Sequence, residues 1–380
     1  VNIVQIVLSG DGAMANHVSR FAAHLRLAGH DVLVAADSAV IENHDLGETI
    51  EIPPRRSGTQ LRLLKRLVRN SDVVHAHGRS GGLLAATLLT ERHRPAFVVT
   101  WHARPELGGL RTQPAESFGV RIADAVTATS TDLIDLVKKA GAKQTWLSHV
   151  PSPRIPELLR TERPSPTERV GLREELFATL PQAASPGQDI DPTRPMVLTV
   201  SSLIPRKNVL ATLEAATAMR DEITWVLVGR GDMSIDDQLR LGAISSRAPL
   251  VLAGEREDVD RWLAAADVFA LPSVWEARPL AVQEAMAASV PVVATRTGGI
   301  PELLDGAGAL FGLDDVAGMV GAVRRILAEP DYAQSLTDAA RGRIAEQLQY
   351  PEIAQLWTRR YELLTANRQR AGLQSTPSPA

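Results

Sequence analysis

Residues 267–304 constrain the fold more than any other stretch of this chain. Val268 to Leu271 is a short, wholly apolar run that stops at Pro272-Ser273. Apolar on both faces, such a run predicts a strand buried within a parallel sheet. A loop carrying Trp275 and Glu276 follows. Pro279 then stands where a helix begins, its missing N–H being one that the first turn leaves unused. Leu280 to Ala288, rich in Ala and Glu, reads as that helix. A second apolar strand, Pro291 to Ala294, feeds a Gly298-Gly299 turn, and Pro301 opens another helix. Two strand–loop–helix units in succession predict an α/β fold in which both loops end at helix N-termini. Such termini present amide N–H groups and partial positive charge, which suit phosphate oxygens.

Seven residues separate Glu276 in the loop from Glu284 in the helix. That spacing puts roughly 10 Å between them, too far for a shared proton. Two anions beside a phosphate site repel the phosphate unless each has another task, such as accepting hydrogen bonds from sugar hydroxyls. Otherwise both are surface glutamates beside a Rossmann-type loop. Residues 273–287 read Ser-x-x-Glu-x-x-Pro-Leu-x-x-x-Glu-Ala-Met-Ala, followed by Pro-Val-Val-Ala-Thr and Gly-Gly-Ile-Pro-Glu. This segment resembles the signature of glycosyltransferase family 4, retaining enzymes of the GT-B fold. The resemblance implies two Rossmann-like doubly wound domains facing across a cleft, the nucleotide on the later one and the acceptor on the first. It also implies that Glu276 bonds the donor sugar and Glu284 the nucleotide ribose. The diphosphate would meet amides near Gly298, Gly299 and residues 277–280, Leu280 among them.

At 380 residues the chain is long enough for two domains, each with its own core. A net charge of −3 gives no reason to expect nucleic acid as a partner. Without cysteine there is no disulfide framework, thiol nucleophile or cysteine metal site. Val1 to Val7 lacks the basic start of a signal peptide, and no apolar run reaches membrane-spanning length. A cytoplasmic address is the expectation. The five lysines are Lys65, Lys138, Lys139, Lys143 and Lys207, so Lys207 is isolated in the second half.

In the first half, a strand from Asn2 to Leu8 ends at Ser9-Gly10-Asp11-Gly12, and a helix is expected from Asn16 to Ala28. The loop is no dinucleotide fingerprint, because Ala13 and Ala15 occupy later glycine places. The resemblance turns it, with Gly12, toward the donor phosphates and the acceptor. Residues 59–70 form a basic helix with Leu61, Leu64, Leu67 and Val68 at helical spacing. Arg55 and Arg56 precede it. Such a helix suits peripheral contact with an anionic membrane, or is an ordinary helix with a solvated face. His75 and His77 alternate on a strand and share a face. They could chelate a metal, but the preferred reading is that they line a ligand cleft at strand C-termini. His102 follows the strand Ala96 to Thr100 and stands at the His of the family's Thr-x-His segment, which the resemblance places on the donor sugar. Read alone, it is a satisfied histidine at a strand end. Ile122 to Ala128 is expected as a strand, with Thr129 to Asp132 capping the next helix. At the domain crossing the family has Pro-Asn-Gly-Val-Asp, whereas this chain has His149-Val150-Pro151-Ser152-Pro153.

The expected first domain covers 1–155, joined by a C-terminal crossover helix over 351–369 in which Tyr350, Trp357 and Tyr361 suit docking. The second covers 156–348. Residues 154–195, dense in Pro, Arg, Glu and Ser, read as a linker with one short helix, Pro181 to Pro195 as a mobile insertion, and 370–380 as a disordered tail. After the strand Met196 to Val200 come Ser201 to Asn208, Asn208 being placed to cap a helix from Val209. A lysine beside an arginine at a strand-to-helix loop is a sensible anchor for a diphosphate, or else a surface basic pair. The resemblance assigns Lys207 to the diphosphate. Ser202 stands where the family has arginine, and Arg206 is next in line to supply that charge. The loop with Arg256 would pack on the nucleotide base.

The resulting expectation is a retaining glycosyltransferase. It would move a sugar from a nucleoside-diphosphate sugar, a UDP-sugar foremost, to a small-molecule, glycan or lipid-linked acceptor. Neither a metal nor any cofactor besides the nucleotide sugar is expected. The rivals are a sugar-nucleotide epimerase of the same fold, a phosphorylase-like enzyme with Lys207 as its pyridoxal phosphate lysine, and a non-catalytic binding subunit.

Overall fold

The structure, a computed structural model, describes residues 1–8, 12–53, 58–89, 94–104, 114–188 and 190–373. It divides into two compact units, Val1–Val150 with Leu348–Ala380, and Pro151–Gln347.

The first unit runs β1 (Asn2–Val7), α1 (Gly12–Leu27), β2 (Asp31–Ala36), α2 (Ser38–Asn43), β3 (Thr49–Glu51), α3 (Gly58–Arg69) and β4 (Val73–His77). It continues with α4 (Gly78–Leu88), β5 (Ala96–Trp101), α5 (Pro114–Ile122), β6 (Ala125–Ala128), α6 (Thr131–Lys139) and β7 (Thr145–Leu147). The second unit runs α7 (Ile155–Leu158), α8 (Pro166–Ala178), β8 (Met196–Val200), α9 (Leu210–Ala218), β9 (Thr224–Val228), α10 (Met233–Ser246), β10 (Leu250–Gly254) and α11 (Val259–Ala265). Then come β11 (Val268–Leu271), α12 (Leu280–Ala287), β12 (Val292–Thr295), α13 (Ile300–Leu304), β13 (Ala309–Phe311), α14 (Val316–Ala328) and α15 (Pro330–Ala345). The last helix, α16 (Tyr350–Leu373), belongs to the first unit.

Each unit is a parallel sheet. The first has strand order β3-β2-β1-β4-β5-β6-β7 and the second β10-β9-β8-β11-β12-β13. Both are doubly wound Rossmann-like orders that reverse direction once, between β1 and β4 and between β8 and β11. Apolar strands covered on both faces explain the continuous hydrophobic runs. In the first unit Phe21 and Leu25 of α1 and Trp357, Tyr361 and Leu364 of α16 share one core with β1, β2, β4 and β5. In the second, α8, α11, α12 and α15 cover one face and α9, α10 and α14 the other. The loops at the two switch points, outside the strand C-termini, are where open α/β sheets bind ligands.

Several expectations need correction. The helix expected from Asn16 begins at Gly12. The strand expected from Ile122 is shorter: α5 ends at Ile122, and β6 starts at Ala125. Residues 154–195 are not a linker. Arg173 of α8 is buried and donates to the carbonyls of Ala265 (3.0 Å) and Arg194 (2.8 Å) and to Asp267. Asp267 also accepts from the Met196 N–H that opens β8, so α8 is tied to the starts of β8 and β11. Within the supposed mobile insertion, Ala184 is in the core and the Asp191 carbonyl accepts from Thr224. Asn208 does not cap α9. It ends a 3₁₀ turn, Pro205–Lys207, in the left-handed region at φ 48°, a conformation asparagine tolerates. Residues 370–373, expected in the disordered tail, continue α16 to Leu373. Residues 374–380, Arg55, Arg56 and Ser9 to Asp11 lie outside the described residues.

Candidate functional site

In the second unit, the loops at the switch point hold a cluster of charge. The 3₁₀ turn after β8 is fastened to the loop after β11, because the Val274 N–H donates to the Arg206 carbonyl at 2.8 Å. This backbone bond sets Lys207 against Glu276, Nζ to Oε1 at 2.5 Å. Ser273 Oγ donates to the same Oε1 at 2.9 Å. Arg206 Nη1 reaches Glu276 Oε2 at 3.2 Å and the Trp275 carbonyl at 3.0 Å. Glu276 is 7% exposed, Lys207 17% and Arg206 36%, so two cations meet one nearly buried carboxylate at a partly open rim.

The loop after β12 completes the cluster. Gly298 has φ +53°, and a Cβ there would lie 2.0 Å from the Glu276 carbonyl oxygen and 2.8 Å from Trp275 Nε1. Only glycine allows that approach. The Gly299 N–H then donates to the Glu276 carbonyl at 2.9 Å, and Thr297 Oγ1 to the Val274 carbonyl at 2.8 Å. Gly229 has an analogous constraint: a Cβ would sit 1.9 Å from the Ser201 carbonyl, so the turn after β9 packs on the loop carrying Ser202. Ser202 itself is exposed.

Leu280 is the first residue of α12, whose opening amides lack intrahelical partners. One turn on, Glu284 has its own environment. Ser152 Oγ donates to Glu284 Oε1 at 2.6 Å, and the Ser152 N–H to Gln283 Oε1 at 3.2 Å. Burial pushes the Glu284 carboxyl above its usual range, opposed by the Ser152 hydroxyl and by Arg154. The two glutamates therefore share neither a proton nor a partner. Arg256 is held apart from the cluster. It bonds Asp258 at 3.1 Å and Thr179 at 3.4 Å and lies over the Trp262 ring, which fixes it to α8 and α11.

The first unit carries the other two candidates. Gly12 is exposed at the start of α1, and a Cβ there would meet no atom within 4 Å, so sterics do not require glycine. His102 is half-buried and its Nε2 lies 3.2 Å from His77 Nδ1. His75 and His77 do not line a cleft, because α16 covers His75 and α1 covers His77. His75 is 1% exposed, 2.6 Å from the Tyr361 hydroxyl and 2.6 Å from Thr100 Oγ1. His77 is fully buried, 3.2 Å from Gln5 Oε1, and its ring stacks on His75 at 4.4 Å and on His102 at 5.4 Å. His17 joins this group and meets the Tyr350 hydroxyl at 3.2 Å. Burial, then mutual repulsion among the rings, holds His17 and His77 well below their ordinary pKa, and the same effects bring His75 down to about 3. These imidazoles are neutral near pH 7. Among the described residues no cluster of three or more potential ligands could hold a metal.

The structure brings together Lys207, Arg206, Glu276, Gly298 and Gly299, and separates Glu284 and Arg256 into their own surroundings. Sequence reasoning misses Ser273, Ser152, Gln283 and His17 as participants, and names Tyr350 only for helix docking. Ser273 stands within the quoted motif; the partners of the others are distant in sequence.

Two doubly wound Rossmann-like units, the second with cations gathered at its switch point, define the GT-B class of fold. Residues 14–153 match the model of Glycosyltransferase Family 4, and residues 194–329 that of Glycosyl transferases group 1. An alpha-maltose-1-phosphate synthase of Mycolicibacterium smegmatis is 28% identical over 335 residues, 79% of this chain and 82% of that one. Its namesake in Mycobacterium tuberculosis is 31% identical over 182 residues, 44% of this chain and about half (47%) of that one. Among solved structures, Anabaena HepE in complex with UDP superimposes with a TM-score of 0.77 at 18% identity, covering 95% of this chain and 100% of that one. The chain belongs to the glycosyltransferases of group 1 and family 4, and it is a glycosyltransferase.

Proposed function

We propose that this enzyme moves a hexosyl group from a nucleoside-diphosphate sugar, a UDP-sugar foremost, to an acceptor hydroxyl with retention of anomeric configuration. The observation that carries the reading is the Lys207–Arg206–Glu276 cluster at the switch point of the second unit. A departing diphosphate needs concentrated positive charge, because the anomeric carbon becomes cation-like as its bond breaks. Lys207 and Arg206 supply it, and Arg206 stands in for the arginine that Ser202 replaces. With the diphosphate bound, the two cations turn from Glu276 to phosphate, and the freed carboxylate accepts from the sugar hydroxyls. The Gly298 amide and those at the start of α12 add to the anion site. Glu284 accepts from the ribose. His102 serves the sugar in the role its resemblance implies. Arg256 acts through the backbone of its loop, its side chain being engaged by Asp258. No metal enters this scheme, since side-chain cations carry the charge. The UDP assignment is supported by the UDP complex of HepE, and the acceptor class, glycan or lipid-linked, by the resemblance alone.

The test is incubation with a panel of radiolabelled nucleotide sugars and no acceptor. One donor is expected to be hydrolysed slowly, and Lys207→Ala should lower that rate on the order of 100-fold. Binding without turnover would favour a binding subunit, epimerised donor an epimerase, and a near-full rate in Lys207→Ala would place the charge elsewhere.

A further inference from the structure

The chain departs from the family pattern at Pro151-Ser152-Pro153, and the structure gives that departure a use. Ser152 is fully buried. Its Oγ accepts from the Arg154 N–H at 3.2 Å, so its single proton is directed to Glu284 Oε1 at 2.6 Å. Pro153 biases the backbone of Ser152 toward extended geometry, and Pro151 fixes its own φ just before it. Gln283 secures the same segment from α12, its Oε1 accepting from the Ser152 N–H at 3.2 Å and from Gln347 Nε2 at 3.0 Å. Among the described residues nothing donates to Glu284 Oε2. We propose that Ser152 is a positioning residue for donor binding, holding Glu284 by one oxygen so that the other faces a diol. This rests on the reading of Glu284 as the ribose contact.

Burial favours the protonated form of Glu284, and the Ser152 hydroxyl and Arg154 oppose it. Of the other charged groups around α12, Glu157 of α7 is exposed to solvent, and Arg341 of α15 bonds the Ala287 carbonyl at the far end. Losing the Ser152 hydroxyl therefore raises the pH at which the carboxylate is lost, and the carboxylate is the better acceptor.

Calorimetric titration with UDP and with 2′,3′-dideoxy-UDP tests this, using wild type, Ser152→Ala, Ser152→Thr and Glu284→Ala. Ser152→Ala should weaken UDP about tenfold, as for a lost hydrogen bond to a charged group, and dideoxy-UDP hardly at all. It should also move the acid limb of UDP affinity to higher pH, while Ser152→Thr stays near wild type. Equal loss for both nucleotides, or no loss for either, would overturn the proposal. If Glu284→Ala discriminates the two nucleotides and Ser152→Ala does not, only the positioning role fails. If Glu284→Ala does not discriminate, the ribose reading fails with it. Should Ser152→Ala not fold, Ser152→Cys, a much weaker donor, is read by the same two titrations.

Discussion

At the residue scale, Glu276 balances Lys207 and Arg206 in a nearly buried setting, and that balance gives a signed prediction. Removing the carboxylate's charge while keeping its shape leaves both cations to the diphosphate. Glu276→Gln should therefore bind UDP more tightly, by severalfold, and turn over more slowly because the sugar loses its acceptor. Weaker UDP binding with unchanged turnover, measured by calorimetry and initial rates, would show that Glu276 acts otherwise. Glu276, Lys207 and Gly298 are legible in the sequence because each sits in an ordered motif, where residue type and spacing identify the loop. Ser152 stands out only as a departure. Its partner Glu284 is 132 positions away, and no local pattern records a contact made by tertiary folding. Asn208 misleads for a related reason: cap-forming and left-handed turn residues are the same residue type.

At the element scale, α16 closes the histidine stack of the first unit, Tyr361 and Tyr350 supplying hydroxyls to His75 and His17. The folded-state pKa values of these histidines are depressed, to about 3 for His75, against 6.5 for an ordinary histidine. Above pH 6.5 neither state is charged and nothing is lost. As pH falls from 6.5 toward 3 the unfolded chain takes up protons that the folded unit refuses, so stability falls, by at most about 1.4 kcal/mol per histidine per pH unit. Hydrogen exchange read by mass spectrometry, corrected for intrinsic rates, should show α1 and α16 losing protection between pH 7 and pH 5 more than β8 to β13. Equal losses in both units would contradict this.

The basic helix α3 is a second case at this scale. Leu64 and Val68 are buried, while Leu61 and Leu63 are 40% and 52% exposed on a helix that also carries exposed Arg62 and Arg69. No helix among the described residues is long and apolar enough to cross a membrane. We propose that α3 meets an anionic bilayer surface. Sedimentation with phosphatidylglycerol vesicles should fall severalfold in a Leu61→Ser, Leu63→Ser double variant and at high salt. Unchanged sedimentation would leave α3 an ordinary solvated helix. Elements flanked by turn signals are readable from sequence. The strand placed from Ile122 is overextended there, because a short apolar run does not distinguish the end of a helix from the start of a strand.

At the scale of the whole chain, two units with the same winding are legible from repeated strand–loop–helix patterns. The fastening of residues 154–195 to the second unit is not, because Pro and Arg density resembles a linker until Arg173 is seen buried against Asp267. The Lys207–Arg206–Glu276 cluster falls where strand order reverses in the second unit, between β8 and β11, so the fold itself dictates where charge can gather. Diffraction from crystals soaked with UDP tests this most directly. Diphosphate density within hydrogen-bonding reach of Lys207 Nζ and the Gly298 amide, with ribose at Glu284, is the expected result. Well-ordered UDP bound elsewhere, with Lys207 still on Glu276, would contradict it.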